Sequence, residues 1–330
     1  MHRNQPYYVK QSGSMSQKRI NTMVYYLFPK CSFDISGTCH VSHNPETFKV
    51  ISPSQFHYMN EIKKRIQECG TWNKVSVNSY SNIHEISKIT NATNLVFYEI
   101  LEVYSIMHFS WKNFYKLNTL HFGNDAEMTL KSFQYIRNFA KQDSNVIVSD
   151  MKMQQNKKTD IAFCHASDDD EQTNGTTILK QVLVVLDSQK QKGACIIKIG
   201  DTFTSLSLDI ISLLSHFYEK TYVMKPIICD MTKCDKYIIC KNFLYETLPD
   251  NVLDDIHTLY TEVTQAKSTH VYRILQNKMP LFFSGKLEEI NSIFGQPRLE
   301  YIHQLLSQAE KNDLKTNKQK CIEWCAKYMM

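Results

Sequence analysis

Apolar positions recur at spacings of three and four over residues 54–69, where Phe56, Met59, Ile62 and Ile66 share one face. They do so again over 94–109, through Leu95, Tyr98, Leu101 and Tyr104, and both stretches predict helices. Earlier, residues 21–90 otherwise mix short apolar runs, such as 23–28, with turn-rich segments, and the first twenty residues are polar. From 117 the pattern changes. A short apolar run at 117–122 is stopped by Gly123-Asn-Asp, and a helical pattern covers 128–139. A β-branched run at 145–149 ends in Asp150, and a polar loop follows to Asp168-Asp-Asp-Glu171. A helix at 177–186, a strand at 193–199, a helix at 206–218 and strands at 221–224 and 236–241 complete this middle region.

Strands alternating with helices of this length predict βαβ crossovers, so an α/β fold with a largely parallel sheet and helices on both faces. The link between the last two strands carries no helix, which predicts an antiparallel pair at the sheet edge. Beyond Pro249 the pattern is helical over 253–263, 271–276, 299–310 and 317–328. The chain therefore divides into a divergent N-terminal segment (1–90), an α/β domain (91–245) and a helical C-terminal extension (246–330).

Composition narrows the classes. With 42% hydrophobic and 22% charged residues, the 330-residue chain is neither disordered nor fibrous. Lys and Arg number 38 against 33 Asp and Glu, a mild excess that permits an anionic partner without requiring one. Nine glycines leave little material for glycine-rich phosphate turns. The ten cysteines follow an N-terminus with no apolar leader, which points to free thiols in the cytoplasm or nucleus, not to secretion. No apolar run reaches membrane-spanning length, so no membrane partner is expected.

In an open α/β sheet, ligands bind beyond the carboxyl ends of the strands. Asp150 closes one strand, and Lys198 lies inside another, where it is at the strand's exit, buried at a cost, or on a solvent-facing edge. Cys31, Cys39, His40 and His43 match no common tetrahedral zinc spacing, so no metal is expected. Cys229, Cys234 and Cys240 read as small buried hydrophobes, and the acidic run 168–171 as a solvated loop. Lys157, Lys158, Lys190, Lys192 and Lys225 either line an RNA groove or are simply exposed. Trp72, Trp111 and Trp324 either stack on a base or belong to the core.

Four segments occur in a familiar order. Val146-Ile-Val-Ser-Asp-Met151 is followed by Lys190-Gln-Lys-Gly-Ala-Cys-Ile-Ile-Lys-Ile199. Then come Tyr222-Val-Met-Lys-Pro226 and Cys234-Asp-Lys-Tyr-Ile-Ile-Cys-Lys-Asn242. Together they resemble the FtsJ-like RNA 2′-O-methyltransferases, and within them the cap-specific mRNA branch. The resemblance implies a Rossmann-like sheet that binds S-adenosylmethionine against Gly123, Asp125 and Asp150. It also implies RNA, capped mRNA in particular, as the partner. It implies a Lys-Asp-Lys-Glu tetrad that methylates a ribose 2′-hydroxyl, in which Asp150, Lys198 and Asp235 take the last three places. Lys198 would orient and deprotonate the hydroxyl while the two carboxylates hold it.

The chain also departs from that pattern. The first tetrad lysine is expected on the helix at 94–109, where Val96 takes its place, and Lys88 lies too early. Gly123 stands alone where a glycine-rich turn is expected, and the short interval to Asp150 implies shortened or missing strands. After Lys225-Pro226, Ile228, Cys229 and Asp230 replace two serines and an arginine. These changes sustain an alternative: a catalytically inactive methyltransferase-like fold that binds RNA or a protein partner.

Overall fold

The computed structural model describes residues 25–31, 39–69, 72, 79–138, 142–148, 158–166, 171–265, 270–276, 279–307 and 314–329. At its centre is a seven-stranded sheet. Its parallel half consists of β3 (Asn118–Phe122), β4 (Ser144–Val148), β5 (Thr159–His165) and β6 (Gln189–Ile199), ordered β4-β3-β5-β6. Beyond β6 come β8 (Lys236–Phe243), β7 (Tyr218–Met224) and β1 (Tyr25–Phe28), each antiparallel to its neighbour.

The strands carry near-continuous apolar runs because both faces are covered. On one face Leu120, Phe122, Ala162, Cys164, Cys195, Ile197 and Ile238 join a core with α5 (Glu171–Ser188), α6 (Ser205–Phe217), α7 (Asp250–Gln265) and α8 (Leu281–Leu306). On the other, the alternate residues Ile161, Phe163, Ile196 and Ile239 pack with α3 (Leu95–Ile106), α4 (Ala126–Arg137) and α9 (Leu314–Tyr328). Helix α3 is buried on nearly every side, and its N-terminus is capped by Asn94, whose side chain accepts from the Val96 N–H. A smaller cluster joins α1 (Pro53–Glu68) to α8 and Phe203, and α9 packs on α2 (Ile83–Ser87).

The expected α/β, Rossmann-like architecture with helices on both faces is therefore present. Three details differ. Residues 159–165, within the stretch expected to be loop, form β5, a central strand whose apolar core is only Ile161-Ala-Phe-Cys164. The antiparallel strand β8 is interior, flanked by β6 and β7, and the edge beyond β7 is supplied by β1 from the N-terminal segment. In the C-terminal extension, the expected helix at 271–276 is instead β9 (Arg273–Leu275), paired with β2 (Cys39–Ser42). Its burial is fixed by Asp209, which accepts from the Ile274 and Leu275 N–H groups and the Arg273 guanidinium.

Candidate active site

The strand order reverses at β3. The chain runs outward from β3 to β4, then returns to place β5 on the other side of β3. Such a switch point opens a crevice at the carboxyl ends of the two strands, where this class of sheet binds ligands. Gly123 leaves β3 there and His165 ends β5 there.

Lys198 sits near the end of β6, on the same face as Ile196, and so points toward α3. Its direct neighbours across the two ladders are His165 on β5 and Tyr237 on β8. Over them α3 lays Glu99, which is 2% exposed. The Glu99 carboxylate lies 3.0 Å from the Lys198 ammonium and accepts a 2.5 Å hydrogen bond from the Tyr237 hydroxyl. Asp235, just before β8, lies 3.2 Å from the same ammonium.

Electrostatics follow from this packing. Burial acts to lower the Lys198 pKa, but Glu99 and Asp235 outweigh it and hold the ammonium above its ordinary value. Burial acts to raise Asp235, and the Lys198 charge overrides it, keeping the carboxyl below its usual range. Lys198 is thus a fixed cation, able to donate hydrogen bonds and poorly suited to take a proton near neutral pH.

Beside this triad, His165 Nδ1 lies 2.8 Å from Asp125, and the Asn94 amide donates to the same carboxylate at 3.0 Å. Burial works to raise Asp125, while His165, Lys198 and Asn94 together bring it below its usual value. A small cavity lined by Val96, His165, Lys198 and Tyr237 lies alongside.

The sequence-predicted residues distribute unevenly over this geometry. Lys198 and Asp235 meet, and Gly123 and Asp125 lie at the neighbouring switch point. Asp150 is outside the described residues. The strand that leads to it is β4, which pairs with β3 and is separated from β6 by two strands. The residue beside Lys198 on β5 is His165. Between Gly123 and His165 the chain makes α4, β4 and β5. On α3, Val96 reaches the small cavity, but the side chain that meets Lys198 is Glu99. Sequence reasoning passed over Glu99 and His165 as site residues. The available signals were one of two carboxylates within a mostly apolar helix and a histidine closing a four-residue apolar run.

Other candidates have separate partners. His40 pairs with Glu262, and His43 bonds the His270 carbonyl. Trp111 and Trp324 are buried, and Trp324 donates to Glu102 at 2.7 Å. Lys190 pairs with Asp160, and Lys225 donates to the Lys233 carbonyl. Lys157 lies outside the described residues.

A family model described as FtsJ-like methyltransferase matches residues 83–243. That range begins at α2, ends with β8, and contains every residue of the site above. Residues 83–243, just under half of the chain, are similar to the FtsJ-like methyltransferases. Three curated relatives are each named cap-specific mRNA (nucleoside-2′-O-)-methyltransferase 1. The Dictyostelium discoideum protein is 32% identical over 80 residues, 24% of this chain and 10% of its own. The Leishmania braziliensis protein is 22% identical over 132 residues, 39% and 33% respectively. The Trypanosoma cruzi protein is 30% identical over 74 residues, 22% and 20%. The chain thus spans a third or less of these relatives. A crystal structure of human methyltransferase-like protein 13 in complex with SAH covers 52% of this chain and 93% of its own, at 9% identity and a TM-score of 0.30. A likeness that low adds nothing to the family match.

The FtsJ-like family uses S-adenosylmethionine, and the fit of this domain to it rests on the switch point. Gly123 has φ +81°, and a Cβ there would overlap the His165 carbonyl oxygen. Its glycine is required by packing against β5, so the β5 backbone fills that side of the turn. Asp125 is present but already engaged by His165 and Asn94. The described residues therefore offer the cofactor a carboxylate and one tight turn, without a run of glycines to cradle it.

Proposed function

We propose that the FtsJ-like domain of this chain recognises RNA, most specifically the 5′ region of capped mRNA, and that its strand-end centre no longer transfers methyl. It would work in the cytoplasm or nucleus, alone or with a protein partner. The carrying observation is what surrounds Lys198. The place of the tetrad's first lysine falls on Val96, the α3 side chain that meets Lys198 is Glu99, and its neighbour on β5 is His165. A like charge would push the Lys198 pKa down toward a usable base. Glu99 pushes it up instead.

A second reading, an active cap-specific RNA 2′-O-methyltransferase using S-adenosylmethionine, is favoured by Lys198 and Asp235, both named by the resemblance and in contact with each other. One set of assays separates the two: S-adenosylmethionine calorimetry, methyl transfer to capped RNA, and RNA binding by fluorescence anisotropy. RNA binding without methyl transfer is the expected result, whether or not the cofactor binds. Methyl transfer that Lys198→Ala abolishes overturns it in favour of the enzyme.

A further inference from the structure

We infer that the chain carries a second nucleic-acid contact, a groove for single-stranded RNA at the amino ends of the parallel strands, opposite the Lys198 centre. The groove has a volume of about 520 Å³, and its wall includes Phe109, Phe114, Lys190, Lys192, Lys241 and Asn242. Gly193, in its floor, precedes Lys198 by five residues of β6, about 17 Å along the strand. The two places are therefore distinct, and the inference does not depend on the chemistry at Lys198.

Three observations carry it. The first is composition. Trp111-Lys-Asn-Phe-Tyr-Lys116 interleaves aromatic and basic residues along one rim, and Lys190, Lys192 and Lys241 supply the rest. Against them stands Asp160, which pairs with Lys190 at 2.9 Å, while Glu219 accepts from Asn242 outside the groove lining. Cations with exposed rings suit phosphates and bases, the chemistry of single-stranded nucleic acid.

The second is presentation. Phe114 and Tyr115 are 49% and 68% exposed, yet the backbone under them is anchored. The buried Arg137 guanidinium donates to the Trp111 and Tyr115 carbonyls and forms a bidentate pair with Asp143. Asp143 also accepts from the Leu117 N–H. Behind the loop, Phe109 stacks on Trp111 with centroids 4.5 Å apart, and Lys241 lies over Phe109 at 4.9 Å. Exposed rings on a fixed backbone form a stacking platform that loses little freedom on binding.

The third is backbone conformation. Five non-glycine residues among those described have positive φ, and His108, Lys192 and Asn242 of these line the groove. Lysine gains nothing locally from this conformation, so its presence there reflects the shape of the rim.

The test is fluorescence anisotropy of an uncapped, mixed-sequence RNA decamer against the full chain across a salt series. Phe114→Ala with Tyr115→Ala should weaken binding about tenfold. Lys192→Glu should lower the log–log salt slope by about 0.7, the share of one neutralised phosphate on a single strand. All three side chains are exposed, so an unchanged melting temperature identifies a folded variant. In the unaltered chain, ultraviolet crosslinking should attach RNA to the peptide containing Phe114 and Tyr115. Unchanged affinity in the folded variants, or crosslinks confined elsewhere, would overturn the inference. So would equal binding of duplex RNA, or tighter binding of a poly-glutamate peptide, which would make the groove a site for an acidic protein. Failure of capped-RNA recognition at the Lys198 end would leave these readouts unaffected.

Discussion

Glu99 and Glu102 lie three residues apart on one buried face of α3 and are stabilised by opposite means. Glu99 meets the Lys198 ammonium. Glu102 meets only neutral donors: the Ile227 and Ile228 N–H groups and the Trp324 indole. One carboxylate belongs to an ion triad. The other ties α3, the segment after β7 and the C-terminal α9 together without a partner charge in contact.

Glu102 therefore makes stability depend on pH. Burial raises its pKa from 4.5 to about 7, against the opposing effects of its three donors and Lys327. Between those values the folded state holds a proton that the unfolded state has released, so stability falls as pH rises through the window. The expected loss is about 3 kcal/mol. Urea denaturation between pH 4.5 and 7.5 measures it, and Glu102→Gln should flatten the slope. A slope that persists in that variant assigns the effect to another group.

Removing Lys198 strands two carboxylates, one of them fully buried. Lys198→Met should cost about 3–5 kcal/mol of folding stability. Adding Glu99→Gln should recover part of that loss, because the remaining buried charge is then gone. A double-mutant cycle on unfolding free energies checks this, and strictly additive losses would contradict the triad.

Gly123→Ala places a methyl against the His165 backbone in a left-handed conformation. A cost of at least about 2 kcal/mol is expected, from strain and steric overlap combined. Thermal unfolding measures it. A melting temperature within a degree of the unaltered chain would mean that the β3 turn is not packed against β5.

Arg137 anchors the loop that displays Phe114 and Tyr115. Arg137→Met should destabilise the chain by about 3–5 kcal/mol, since Asp143 is left buried without its partner. Limited proteolysis should then cut within residues 111–117 before other described loops. Protection equal to that of the unaltered chain would show that other interactions hold the loop.

The fold was legible in the sequence where periodicity is strong, as in α1, α3, α6 and the apolar heart of β6. Lys198 was legible too, because a lysine among five apolar residues stands out. The strand beside it was not. Residues 159–165 hold four apolar residues between Asp160 and His165, too short a run to outweigh the polar stretch on either side. The β-branched run before Asp150 was more conspicuous. Order in a parallel sheet is not order in the chain: β4 precedes β5 yet lies further from β6. Glu99 was hidden differently. Apolar periodicity identifies α3 as buried, but only the tertiary crossing over β6 and β8 shows which of its polar residues meets a charge.

Among the described strands of the sheet β1 is made before the others, and it pairs with β7, which is made only after the four parallel strands. Until β1 docks, the outer edge of β7 presents unpaired N–H and C=O groups, including those beside Tyr222 and Met224. The β1–β7 joint thus joins the earliest-made of the described strands to one of the latest, and the open β7 edge invites strand exchange with another copy until that joint closes.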